Sequence, residues 1–153
     1  LVTAAGCQLV AACDLAVAAE NATFATSGIR VGLFCSTASV PVSRALPQKK
    51  ALELLLPGEF FDAATAAKVG VVNQGAPAEE LESAVQRLVV AITNKSAYAI
   101  RSGKQMFYRQ LEMELEEAYA YAAEVMACDM QADDAAEGID AFLQKRQPVW
   151  QGR

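Results

Sequence analysis

The spacing of apolar residues changes along the chain and divides it into two parts. Thr3 to Ala12 is almost wholly apolar, interrupted at Gln8, and reads as a short helix that Thr3 could cap. Asp14 to Ala19 (DLAVAA) reads as a buried strand, and Thr23 to Ala25 as a short second one. Gly28 and Gly32 break the pattern, so Thr26 to Gly32 is expected to be a loop. Ser36 to Leu46 is expected to be helical with Pro41 in its first turns. Pro47 is placed to open a helix from Gln48 to Leu56 that stops at Pro57-Gly58. Asp62 can cap a helix running to Lys68, which Gly70 ends, and Val71 to Gln74 reads as a strand.

Beyond this point the pattern is helical. Pro77 opens a long helix to Asn94, with Glu79, Glu80 and Glu82 in the first turn, where the helix dipole favours acids. Ala97 to Gln110 is a second helix, and Leu111 to Met130 is expected to continue it. Leu111, Leu115, Tyr119, Ala122 and Met126 follow one another at four, four, three and four residues, a one-sided apolar stripe read as helix packing. Asp134 and Glu137 have capping-box spacing ahead of Ile139, Phe142 and Leu143. Strands and turns followed by a helical tail indicate an α/β fold with a C-terminal helical extension, divided as residues 1–75 and 76–153. Two or three short strands make a poor sheet alone, so further strands are expected from a segment ahead of Leu1.

Composition narrows the function classes. Hydrophobic residues are 54% of the 153 positions, enough for a core, and a net charge of −5 argues against nucleic acid as a partner. The chain has no histidine, which removes Ser-His-Asp and Cys-His catalysis and His-ligated zinc. Cys7, Cys13, Cys35 and Cys128 have neither metal-ligand nor redox spacing; no metal is expected, and the thiols are expected to be reduced and mostly buried. Leu1 to Cys13 is too short and too interrupted to span a bilayer. The chain opens at Leu1, without an initiator Met and inside an apolar run, and is expected to be a piece of a longer protein.

Several short motifs, taken in order, resemble one family. The run Ala4-Ala5-Gly6-Cys7-Gln8-Leu9-Val10-Ala11-Ala12-Cys13-Asp14 is similar to G-G-G-x-E-L-x-x-x-C-D. Phe24 to Gly32 is similar to F-x-x-P-E-x-x-x-G, and Leu55 to Gly58 to L-T-G with Pro57 at or beside the Thr position. Ala63 to Val72 is similar to A-x-x-A-x-x-x-G-L-V, and Glu137 to Trp150 to E-G-x-x-A-F-x-x-K-R-x-P-x-W. These are motifs of the crotonase (enoyl-CoA hydratase/isomerase) superfamily, and their order and spacing identify the resemblance over nearly the whole chain. It implies a spiral of ββα turns, incomplete here, followed by a helical trimerisation region. A homotrimer, or a hexamer of two trimers, is implied as the assembly. The implied ligand is an acyl-CoA thioester, with no separate cofactor because CoA is part of that ligand. The implied compartment is the mitochondrion, otherwise the cytoplasm.

The resemblance also assigns roles. Members of the family hold the thioester oxygen between two backbone N–H groups, which stabilise a developing enolate. Ala5 stands at the second donor; the first belongs to a segment ahead of Leu1. Ala5 is otherwise simply at a helix start, where free N–H groups are general. Hydratases of the family place a water between two glutamates. Gln8 and Gly28 stand at those positions here. An amide can orient a water but cannot take its proton, and glycine has no side chain. Each general acid–base group contributes about 10² to 10⁴-fold, so hydration is expected to fall to a trace. The alternatives are a polar helix residue at Gln8 and an ordinary turn glycine at Gly28. The family's P-G-x-G-G loop is replaced by Cys35-Ser36-Thr37-Ala38-Ser39.

Phe142 and Lys145 stand where the family reaches the adenine and phosphate end of CoA from a neighbouring subunit. Alternatively, they are an apolar helix residue and a solvated lysine. Cys35 is a speculative acyl acceptor, set against a packed thiol. The reading that follows is an acyl-CoA-binding, hydratase-like protein of lipid metabolism with little or no hydratase activity. The alternatives are an active superfamily enzyme with another reaction (isomerase, hydrolase or decarboxylase) and a structural assembly subunit.

Overall fold

The structure is a computed structural model and describes residues 1–153. The chain forms two compact units, Leu1–Gln86 and Arg87–Arg153. In the first, β1 (Val2–Thr3) leads into α1 (Ala5–Ala12), followed by β2 (Val17–Ala19) and β3 (Thr23–Ala25). After a 3-10 turn at Ser27–Val31 come α2 (Ser36–Ala45), α3 (Gln48–Leu55), β4 (Phe61–Asp62), α4 (Ala63–Val69) and β5 (Gln74–Ala76). A 3-10 turn at Ala78–Glu80 precedes α5 (Leu81–Thr93), within which the boundary between the units falls. The second unit holds α6 (Ala97–Gln110), α7 (Leu115–Asp129) and α8 (Asp133–Gln144).

The strands make two small sheets. β3 is central in one, pairing in parallel with β1 (Val2 opposite Phe24, Thr3 opposite Ala25) and antiparallel with β4. β2 and β5 pair in parallel, Val17 opposite Gln74. Phe24, only 1% exposed, stacks on Phe61 with ring centroids 5.6 Å apart. Around this pair the core gathers Cys7, Val42, Leu46, Leu55, Ala66, Val71 and Val72. The small residues of α4 let it lie close, and Ala63 and Ala66 are fully enclosed.

Local chemistry explains the helix ends. Asp62 accepts a hydrogen bond from the Thr65 amide at 2.8 Å, and Gly70, at φ 94°, turns the chain out of α4. Ser96 caps α6 by accepting from the Ala99 amide at 3.1 Å. Pro41 is tolerated inside α2, although its missing N–H leaves the Thr37 carbonyl without its helical donor.

Several elements differ from the sequence expectation. Thr3 is not a cap but a strand residue paired with Ala25, and Ala4 takes the helix entry. The 14–19 strand is confined to Val17–Ala19. Val71 and Val72 are buried but not in a strand. Both amides bond back to the Ala66 carbonyl after α4, and β5 begins only at Gln74. The Thr26 to Gly32 loop is largely a 3-10 turn. The helix from Pro77 is likewise preceded by one. The helix expected from Leu111 starts at Leu115, after turns in which the Glu112 and Met113 amides bond to the Arg109 and Gln110 carbonyls. In α7 the inward residue is Ala118, while Leu115, Tyr119 and Met126 are 64–73% exposed. Of the four thiols only Cys7 is buried; Cys13 and Cys128 are exposed.

Candidate functional site

Because β1 and β3 are parallel neighbours, the chain leaves both at the same sheet edge. Ala4 and Ala5 follow β1, and Thr26 to Gly28 follow β3, so Ala5 and Gly28 come to the same carboxyl end. Parallel α/β sheets hold ligands at such an edge. The change from β1 to α1 takes one residue. The Ala4 amide donates to the Ala25 carbonyl at 3.0 Å, and the Ala4 carbonyl accepts from the Gln8 amide at 3.1 Å. The Ala5 N–H lies in the first turn of α1, where no preceding helical carbonyl faces it and the dipole's positive end lies. Gln8 is one turn further on and half-buried. Ala4 has φ 44° and ψ −105°, a conformation foreign to L-residues, and nothing in the sequence beyond the small-residue run Ala4-Ala5-Gly6 signals it.

Gly28 is constrained by space rather than by backbone angle. A Cβ there would stand 2.7 Å from the Leu33 carbonyl oxygen and 2.9 Å from the Cys35 sulfur. The turn is tied shut by the Leu33 amide, which donates to the Gly28 carbonyl at 3.0 Å. Before it, the buried Thr26 hydroxyl donates to the Leu54 carbonyl at 2.9 Å. Cys35 is half-buried at the entry to α2, against Gly28. Cys7 lies beneath the edge and donates to the Val2 and Ala25 carbonyls at 3.3 Å. Burial pushes its thiol above the ordinary range, so it stays protonated and packed.

Phe142 and Lys145 belong to the second unit. Phe142 is 81% exposed on α8, and Lys145, at φ 56°, ends that helix in the left-handed region. Phe142 borders a largely apolar pocket of about 470 Å³ with Met126, Met130, Ile139, Leu143 and Trp150.

The carboxylates of α8 hold the tail that follows it rather than forming a capping box; Ala132 occupies the cap position. Glu137 accepts from both terminal nitrogens of Arg146, at 2.6 and 2.8 Å, and from the Val149 amide at 2.7 Å. The Arg146 bonds are the largest influence lowering the Glu137 carboxyl from 4.5 to about 2. Asp134, 3% exposed, accepts from the Ser96 hydroxyl at 2.5 Å and from the Gln151 and Gly152 amides at 2.6 and 3.0 Å. The Ser96 bond first, then those amides, lowers its carboxyl below the usual range. The Trp150 ring lies against Gly138, where a Cβ would meet it at 3.3 Å, and its N–H donates to the Asn94 carbonyl at 3.0 Å. The E-G…R-x-P-x-W spacing therefore builds a clasp, a structural role that the motif alone did not disclose.

No three His, Cys, Asp or Glu side chains are grouped so as to hold a metal ion. No helix is long and apolar enough to cross a membrane.

Comparisons with known proteins match this geometry to one group. The pattern of the family described as enoyl-CoA hydratase/isomerase matches residues 1–153. The chain is 46% identical over 150 residues to mouse enoyl-CoA hydratase domain-containing protein 3, mitochondrial, covering 98% of this chain and 50% of that protein. It thus spans about half the length of the curated relatives it matches. A crystal structure of an enoyl-CoA hydratase from Mycobacterium smegmatis superposes with a TM-score of 0.94 at 50% identity, over 97% of this chain and 58% of that one. The crystal structure of human enoyl-CoA hydratase domain-containing protein 3 gives 0.92 at 46% identity, over 97% and 59%.

Proposed function

The chain belongs to the enoyl-CoA hydratase/isomerase family, and on that premise we propose that it binds an acyl-CoA thioester without appreciably hydrating an enoyl-CoA. The observation that carries this reading is the closed position at Gly28. Hydration needs one group to take a proton from water and another to deliver one, each at hydrogen-bond distance. Gly28 has no side chain, and the Leu33 carbonyl and the Cys35 thiol fill the space where one would start. Gln8 can hold a water by its amide but cannot accept its proton. What remains at the sheet edge is the Ala5 N–H at the positive end of α1, a donor suited to a thioester oxygen.

Phe142 and Lys145 serve the nucleotide end of CoA in this reading. An exposed aromatic ring can stack on adenine, and an ammonium can pair with phosphate. Lipid metabolism is the setting that an acyl-CoA ligand implies, and the mitochondrion is supported by the names of the relatives. A second reading, a subunit that serves assembly, draws on the exposed apolar residues of α7, which suit a homotrimer or hexamer interface. The two are compatible.

The test is an enoyl-CoA turnover assay, following loss of the conjugated thioester. The expected rate is at the uncatalysed background. A rate within tenfold of an active family hydratase, in a preparation free of host enzyme, overturns the reading.

A further inference from the structure

We propose that the pocket bordered by α6, α7, α8 and the C-terminal tail binds the hydrocarbon chain of a neutral single-chain lipid, an inference independent of the acyl-CoA reading above. The pocket lies wholly within the second unit and holds about 470 Å³. Small-molecule sites run from about 300 to 1,000 Å³. Met126 and Met130 come from α7 and its end, Ile139 and Leu143 from α8, and Trp150 from the tail. The four aliphatic side chains are 48–71% exposed, so a chain laid along them takes apolar surface out of water. Methionine is unbranched and polarisable, and it shapes itself to an irregular apolar guest. The Trp150 wall is already in place. Its N–H donates to the Asn94 carbonyl at 3.0 Å, and the Gln151 and Gly152 amides after it bond to Asp134.

The polar residues at the border decide what can enter. The Ser96 hydroxyl donates to Asp134 at 2.5 Å and accepts from the Ala99 amide at 3.1 Å. Asp129 accepts from the Ser102 hydroxyl at 2.8 and 3.0 Å. No buried side-chain nitrogen or oxygen lacks a partner. An incoming peptide would therefore find no free group for its own N–H and C=O, and burying those unpaired is costly. A hydrocarbon chain brings no such groups. Charge narrows the class further. Asp129 and Asp134 border the pocket, and no lysine or arginine does. Two carboxylates beside an apolar cavity disfavour an anionic head group and leave a neutral one, such as a hydroxyl, at the mouth.

Trp150 is the sole tryptophan, so its fluorescence reports this pocket directly. The test is quenching of the full chain by ω-bromoundecanol and by ω-bromoundecanoate at about pH 8, where the latter is ionised. Bromine at the far end of either chain quenches an indole only at close range. Saturable quenching is expected, with the alcohol bound about five- to tenfold more tightly than the carboxylate. Ala99, exposed on α6 at the border, can be enlarged without disturbing a core. Ala99→Phe is expected to weaken the alcohol by about tenfold or more. Met130→Lys supplies a cation and is expected to reverse the preference between the probes, which adsorption to a greasy surface would not do. No saturable quenching in the folded chain, equal affinity for the two probes, or undiminished affinity in folded Ala99→Phe overturns the proposal. Quenching that appears only as dilution yields a smaller species in sedimentation assigns the pocket to a second copy of the chain and overturns it too. If neither variant folds, the two probes compared on the wild type decide.

Discussion

A methyl group at position 28 would stand 2.7 Å from the Leu33 carbonyl oxygen, and backbone atoms do not yield as a side-chain tip does. Overpacking of this kind costs about 1–3 kcal/mol. Gly28→Ala is therefore expected to lower the midpoint of thermal unfolding by several degrees, although its backbone angles suit alanine. Sequence reasoning alone would have Gln8→Glu with Gly28→Glu restore hydration. The packing predicts otherwise: the pair of substitutions displaces the Leu33–Cys35 segment and yields no hydration above background in the turnover assay. Hydration gained by a well-folded double variant would mean that the turn opens readily. Phe24 sets the scale for the core: 1% exposed and stacked on Phe61, it is expected to cost about 3–5 kcal/mol when replaced by alanine, measured by denaturant unfolding. The residue types at the site could be read from the sequence. The crowding at Gly28 could not, because it comes from residues 33 and 35 folding back.

Among the elements, α8 and its tail carry the clearest pH dependence. The Glu137 carboxyl is held at about 2, below its ordinary 4.5, chiefly by the two bonds from Arg146. A depressed carboxyl stabilises the fold fully above its unfolded value, and that contribution is lost as pH falls through the folded one. The clasp is therefore expected to weaken between about pH 4.5 and 2. Asp134, also lowered, adds to the loss in the same direction. Trp150, the sole tryptophan, rests on Gly138 within the clasp and reports the transition by its fluorescence. In Glu137→Gln the signal is expected to differ already at neutral pH and to change less across that window. An identical acid titration for both would contradict the assignment. Elements with local signals were legible in the sequence: the Asp62 cap, the Ala97–Gln110 helix and the short β3 stand where the residues indicated. β1 and β4 were not, since two residues become a strand only through partners over twenty positions away. Val71 and Val72 misled because burial after α4, rather than pairing, accounts for their apolar character.

For the molecule as a whole, motif order made the family legible where the strand count did not. Each of the two units has its own described packing, and the second leaves Leu111, Leu115, Tyr119 and Met126 largely exposed on and beside α7. Periodicity showed that these residues share a face but not what covers it, because an inward stripe and an interface stripe have the same spacing. The proposed homotrimer or hexamer would cover the face. Tyr119→Glu is expected to shift the sedimentation profile towards smaller species, and an unchanged profile would remove that stripe from the interface. The central claim, a proposal, is that the chain binds an acyl-CoA at the Ala5 end of the sheet without appreciably hydrating an enoyl-CoA. Calorimetric titration of the purified chain with a medium-chain acyl-CoA, with free CoA as the reference, tests it most directly. The account predicts saturable binding that is tighter for the thioester; a folded chain that binds neither ligand, or binds both equally, would contradict it.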